Sequence, residues 1–221
     1  MLIKTIPVGQ LETNCYVVTN EATLECVVID PGDESNAILD YIEDNHLKCR
    51  AVMLTHGHFD HTGAVNAVAE ETGATVYMNH RDDARENSSA HLRFTLPENG
   101  KSYDDGDVIE AASMRFEVMA TPGHTPGGVT LKCGDALFTG DTLFKGSCGR
   151  TDLDGGVMAQ DYDRVAVLVN GGYLLEAAEA AAHAPPAGGH SGSGGTHKAV
   201  GHRPRAGLLQ GRGKRPVRRP Q

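Results

Sequence analysis

Thr55-His56-Gly57-His58-Phe59-Asp60-His61-Thr62-Gly63 sets three imidazoles and a carboxylate within six positions, directly after the apolar run Ala51-Val52-Met53-Leu54. Neutral imidazole and carboxylate are ligands that divalent zinc takes readily, and iron or manganese accept the same set. In an extended segment side chains alternate, so His56, His58 and Asp60 point one way. A chain that turns into a helix at Asp60 swings His61 round to a neighbouring point, so two metals can share this one segment. The competing reading is a solvated turn that happens to be rich in histidine. Four candidate ligands in six residues, between a strand and a helix, weigh heavily against it.

Outward from this stretch, short apolar or alternating runs bounded by turn residues predict strands at 2–8, 14–19, 25–30, 51–55, 74–78, 115–120, 128–132 and 136–139. Helices are predicted at 34–46, started by Asp33 or Ser35, and at 61–72, ended by Gly73. The stretch from Arg81 to Gly106 is polar and weakly periodic, and reads as a helix plus a mobile loop bordering a cleft. His80 and His91, near it, read as surface residues. This layout suits an α/β sandwich of two mixed sheets with helices outside, and its candidate ligands fall at strand ends, where such scaffolds build sites.

The segment at 55–63 resembles the His-x-His-x-Asp-His signature of the metallo-β-lactamase superfamily. Thr121-Pro122-Gly123-His124-Thr125-Pro126-Gly127-Gly128 resembles the element that carries that family's third histidine. Ala136-Leu137-Phe138-Thr139-Gly140-Asp141-Thr142-Leu143-Phe144 resembles the Gly-Asp-Thr-Leu-Phe form of its glyoxalase II-like branch. Three matches in the right order are far more specific than any one of them. The resemblance implies an αββα sandwich with two divalent metal ions, zinc first, with iron or manganese as alternatives. His56, His58 and His124 would hold one ion, Asp60 and His61 the other, and Asp141 would lend an oxygen to each. Two close cations lower the pKa of a shared water, so a metal-bound hydroxide is available near neutral pH to attack the carbonyl of a thioester or ester. Asp60 has a second possible role as the catalytic proton acceptor, with ligation weighted higher.

Cys26-Val27-Val28-Ile29-Asp30-Pro31-Gly32 resembles the family's Asp-Pro-Gly element, which places Asp30 beneath the metals as a group that orients a ligand; an ordinary Pro-Gly turn is the alternative. Phe144-Lys145-Gly146-Ser147-Cys148-Gly149-Arg150-Thr151-Asp152 resembles the loop from which glyoxalase II enzymes bind the carboxylate of a glutathione thioester. Arg150 occupies its basic position and Lys145 is a second candidate, with a solvated surface charge as the plain alternative for both. No C-terminal helical domain of the glutathione-dependent enzymes is legible, though small bacterial relatives lack it too.

Composition agrees with one domain of substantial core plus a tail: 221 residues, 39% hydrophobic. No apolar run approaches the ~20 residues needed to cross a membrane, and Met1–Val8 reads as a strand rather than a signal peptide. Five cysteines, an odd number without a Cys-x-x-Cys pair, argue for reduced thiols in a cytoplasm. Cys15, Cys26 and Cys133 read as core, and Cys148 lies beside the candidate substrate loop.

At about residue 160 the character of the chain changes. From 161 on there are 9 Lys plus Arg against 4 Asp plus Glu, a net of +5; since the whole chain carries −9, the first 160 residues carry −14. Residues 1–160 therefore read as the metal-hydrolase domain, and 161–221 as a disordered tail rich in Gly, Ala, Pro and Arg. The acidic catalytic part argues against a nuclease, because it repels phosphate. A small thioester or ester is the expected partner. Family members continue after the Gly-Arg-Thr-Asp element with a helix, a strand and a Pro-Gly-His whose histidine completes the second metal site. Here only His183 and His190 lie near that distance, neither after a convincing strand, so the sandwich reads as incomplete. A frameshift near residue 160 would account for this, and the coding DNA tests it: an alternative frame must encode a helix followed by Pro-Gly-His. The alternatives are a mononuclear iron persulfide dioxygenase, a lactonase, a β-lactamase, or a catalytically impaired metal-binding remnant whose basic tail binds a partner.

Overall fold

Alternation along three strands decides the layers. In β2 (Thr13–Asn20) Cys15 and Val17 face one way while Tyr16 and Val18 face the other, and all four are buried. The strands β3 (Glu25–Ile29) and β4 (Lys48–Met53) repeat this, with Cys26, Val28 and Val52 on one face and Val27, Ile29, Ala51 and Met53 on the other. A strand apolar on both faces has to be covered twice. The first face packs under α1 (Ser35–Asp44) through Ile38 and Ile42, and under α3 (Val65–Thr72) through Val65 and Val68. The second face packs against Phe116, Val118, Leu131 and Phe138 of another sheet. Each such side chain, fully buried, contributes ~1.5–3 kcal/mol.

The structure, a computed structural model, describes residues 1–144, 147–153 and the backbone of 174–175. All of these belong to the first of two compact units, residues 1–184. The first sheet adds β1 (Leu2–Val8), β5 (Thr75–Met78) and β6 (Lys101–Ser102) in the order β1-β2-β3-β4-β5-β6, antiparallel as far as β3 and parallel beyond it. The second holds β7 (Val108–Ala111), β8 (Met114–Ala120), β9 (Val129–Cys133), β10 (Ala136–Phe138) and β11 (Leu174–Leu175) in the order β11-β10-β9-β8-β7. Its pairs are antiparallel apart from β11, which runs parallel to β10. This is the expected α/β sandwich of two mixed sheets.

Several local expectations are corrected. The strand expected at 51–55 is β4, which starts earlier, at Lys48, and stops at Met53. The helix expected at 61–72 is two helices, α2 (Phe59–Thr62) and α3; the backbone N–H of Ala64 donates to Pro31 O at 2.9 Å, tying the break to the Asp30-Pro31-Gly32 turn. Helix therefore begins at Phe59 rather than Asp60. Gly73 does end α3, in the left-handed conformation with φ 69°. α1 is capped by neither Asp33 nor Ser35: Glu34 takes that place with φ 52°, and Asp33 Oδ1 accepts the N–H of Glu34 at 2.7 Å. Between 81 and 106 no α-helix forms among the described residues; a short 3-10 helix at His80–Asp82 and the two-residue β6 stand instead. The sandwich also regains, in β11, a last strand that the sequence did not reveal.

Candidate metal centre

The ends of β3, β4, β8 and β10 lie together and deliver Asp30, the His56–His61 segment, the His124 loop and Asp141 respectively. The N–H of Val129 donates to Thr55 O at 2.8 Å, so the two sheets are joined at this point. α2 follows His58 at once, with the His58 carbonyl accepting the His61 N–H and the Thr62 hydroxyl, both at 3.0 Å. This early turn puts Asp60 in helix, so the strand alternation of the extended reading does not reach it; its Oδ2 lies 3.6 Å from His61 Nε2.

Ring nitrogens of His56, His58 and His124 lie within 4.8 Å of one another. Each ring is oriented by a neighbour. Thr55 Oγ1 donates to Asp30 Oδ2 at 2.6 Å, so towards His56 Nδ1, 3.1 Å away, it can only accept. His56 thus carries its proton on Nδ1 and a lone pair on Nε2, and this Nε2 is buried with no hydrogen-bond partner among the described residues. His124 Nδ1 lies 2.7 Å from the Arg150 carbonyl, which can only accept, so Nδ1 carries the proton and Nε2 the lone pair. That Nε2 is 2.8 Å from His58 Nδ1. Burial, with His61 and His124 adding, holds the His56 imidazole well below its ordinary value; burial and His124 push His58 down to about 4. Neutral rings at His56 and His58, nitrogens converging within 4.8 Å and an unsatisfied buried nitrogen are what a borderline cation satisfies, so the donor set fits a divalent metal.

A second group adjoins the first. His61 Nε2 lies 3.2 Å from Asp141 Oδ1 and 3.6 Å from Asp60 Oδ2, and Asp141 Oδ2 lies 3.3 Å from His124 Nε2. Asp141 therefore offers one oxygen to each group. On the far side of His61, Nδ1 is 3.0 Å from Asp30 Oδ2. Burial opposes charge on His61, but Asp30 and Asp141 outweigh it and hold its pKa well above the usual imidazole value. Burial likewise pushes the Asp141 carboxyl up, and His61 and His124 more than reverse this, leaving it below its ordinary value. Asp30, almost fully buried, also accepts the Thr55 N–H at 2.7 Å, so one carboxylate braces residues on both sides of the cluster. That is the orienting place the resemblance to the Asp-Pro-Gly element implied.

Both groups open onto a cavity of about 760 Å³ whose wall includes Leu11, Tyr16, Asp60, His124, Asp141 and Phe144. Arg150 lines it too, but its guanidinium is held in a two-pronged pair by Asp152, Nε to Oδ1 at 2.7 Å and Nη2 to Oδ2 at 2.9 Å. Cys148, exposed, is on the same wall. Lys145, His183 and His190 lie outside the described residues.

A family model described as the metallo-beta-lactamase superfamily matches residues 8–197. The chain belongs to this superfamily. Relatives of this metallo-β-lactamase-type chain include an uncharacterized protein of Aquifex aeolicus, 40% identical and spanning 72% of this chain and 79% of its own. The probable metallo-hydrolase YqgX of Bacillus subtilis is 36% identical over 69% and 76% of the two chains. The hydroxyacylglutathione hydrolase GloC of Haemophilus influenzae is 32% identical over 71% and 78%. Among solved structures, BLEG-1 B3 metallo-beta-lactamase superposes with a TM-score of 0.64 at 33% identity, covering 76% of this chain and 84% of that one. TTHA1623 in a di-iron-bound form gives 0.60 at 30% identity with the same coverages.

Three polar residues of this metallo-β-lactamase-type site escaped sequence reasoning. Thr13 donates through Oγ1 to Asp60 Oδ2 at 3.0 Å, Thr55 orients His56, and Asp82 is bonded to both histidine loops. Asp82 lies four residues beyond the end of β5, so the strand-end rule applied to Asn79-His80-Arg81-Asp82-Asp83 would have pointed to it.

Proposed function

We propose that this protein is a metal-dependent hydrolase of a thioester or related small ester, like the glyoxalase II branch. The observation that carries the reading is the convergence of His56, His58 and His124 beside His61, Asp60 and Asp141, with Asp60, His61, His124 and Asp141 at the wall of one cavity. His56, His58 and His124 would hold one divalent ion; Asp60, His61 and Asp141 would contribute to a second. When bound, such ions act as Lewis acids and lower the pKa of a coordinated water towards neutrality. Zinc suits the mixed nitrogen and oxygen donors, and the di-iron form of TTHA1623 makes iron the nearest alternative.

The chain's own residues then divide the work. Thr55 and the Arg150 carbonyl hold the His56 and His124 rings with their Nε2 lone pairs towards the cluster. Asp60, kept in place by the Thr13 hydroxyl, is set to accept a proton at Oδ2 from the attacking water. Leu11, Tyr16 and Phe144 offer the acyl or thiol portion an apolar wall, and Arg150 at the same wall takes a substrate carboxylate once that carboxylate replaces Asp152. All five cysteines are free and four are buried, which suits a reducing cytoplasm.

Metal content of the purified chain, measured with hydrolysis of a glutathione thioester by the same sample, tests this. Bound metal with turnover that disappears in His124→Ala is expected. One iron per chain with oxygen consumption and no hydrolysis would transfer the assignment to a persulfide dioxygenase.

A further inference from the structure

Asp82 ends the short 3-10 helix after β5, has no exposed surface, and lies in neither candidate metal group. Its carboxylate gathers three donors. Oδ2 accepts the Gly57 N–H at 2.9 Å and the Thr125 hydroxyl at 2.7 Å, while Oδ1 accepts the Gly127 N–H at 2.7 Å. Gly57 stands between His56 and His58, and Thr125 directly follows His124. One buried side chain thus ties together two loops that are 66 residues apart at the His58–His124 contact.

Packing around it is correspondingly tight. A Cβ on Gly57 would lie 2.8 Å from Asp82 O, and one on Gly127 would lie 2.7 Å from Asp82 Oδ1. Both contacts are closer than real Cβ atoms approach, so the absence of side chains at 57 and 127 is what lets the loops close on the carboxylate. Burying it costs free energy, and three charge-assisted hydrogen bonds offset that cost only while both loops are in place.

We infer that Asp82 is a positioning residue: it clamps the His56–His58 loop to the His124 loop and so fixes the spacing of the three nitrogens that would take the metal. This rests on the metal-site reading above. Groups that orient ligands from behind typically contribute 10–100-fold in metal affinity.

The test titrates the full-length chain with cobalt(II) against a competing chelator, recording the visible d–d spectrum, with thermal melts of every variant. Asp82→Asn puts an amide NH2 opposite at least one N–H donor; it should weaken cobalt binding roughly 10–100-fold and alter the band positions. Asp83→Asn is the comparison, because Asp83 is also buried but its carboxylate bonds Arg85 and the Leu96 N–H and, among the described residues, neither histidine loop. It should lower the melting temperature while leaving affinity and spectrum as in the wild type. Thr125→Val removes one of the three donors and should weaken binding by a smaller factor. Wild-type affinity and spectrum in Asp82→Asn would overturn the inference; if that variant does not fold, the same result in Thr125→Val overturns it. A wild-type chain that takes up no cobalt would instead overturn the metal-site reading, and this inference with it.

Discussion

Arg150 and Asp152 set the terms on which a substrate anion is recognised. Both are exposed, and each of the two oxygens of Asp152 already accepts an N–H of the guanidinium. An exposed pair of this kind is weak, so a substrate carboxylate competes with it at modest cost. Asp152→Ala should therefore lower KM for a carboxylate-bearing thioester by a small factor, about fivefold at most, with kcat unchanged, as the loss of a weak exposed competitor does. An uncharged thioester should show no such change. Equal KM shifts for both substrates would mean that Arg150 has no part in recognising the anion. At the same scale, Thr55→Val leaves His56 Nδ1 without its acceptor and Asp30 without one of its donors. Metal affinity should fall by roughly tenfold, measured by chelator competition, because the ring loses the contact that fixes its tautomer.

Elements follow the sequence where burial is two-faced and depart from it where a tertiary contact intervenes. β1, β2, β3, β8, β9 and β10 were legible within a residue or so, because their apolar patterns are continuous or strictly alternating. β7 was not: two of its four residues are exposed and two half-buried, and the hairpin to β8 turns through Ala112 and Ser113, both with positive φ, where the usual Asn or Gly signal is missing. The ligand residues could be read from their spacing, and Asp82 from its place after β5, whereas Thr13 reaches Asp60 and Thr55 reaches Asp30 through contacts between distant segments that no local pattern encodes. β11 is the other case. It pairs with β10, and Asp141 follows β10 by three residues, so the edge that β11 covers leads straight to a candidate ligand. A chain ended at residue 160 loses that pairing. Its melting temperature should fall by several degrees, as ~1–2 kcal/mol does in a domain of this size, and its metal affinity should fall with it. A chain ended at residue 184 keeps the strand and should match the full-length protein in both; equal melting of the 160- and 184-residue chains would show that β11 does not brace β10.

Across the whole molecule, three buried histidines pull the stability of the metal-free protein in opposite directions with pH. His61 has a raised folded pKa, so its contribution is complete below the ordinary imidazole value of 6.5 and fades as pH climbs through the higher folded value. His56 and His58 act in reverse. Held neutral in the folded chain, they bind no proton there while the unfolded chain takes up protons below 6.5, so stability is lost from 6.5 down towards about 4, where His58 itself becomes charged. Asp141, with a lowered folded pKa, adds a further loss below its ordinary value of 3.8. The chelator-treated protein should therefore melt highest near pH 6.5, with a clear decline to pH 4 and a second decline on the alkaline side. Melting temperature followed across this range after exhaustive chelation makes the measurement, and a flat profile between pH 4 and 6.5 would show that His56 and His58 are not held neutral. Adding zinc should raise the melting temperature most on the alkaline side and move the optimum upward, because protons and metal compete for the same nitrogens and the metal gains as the protons leave.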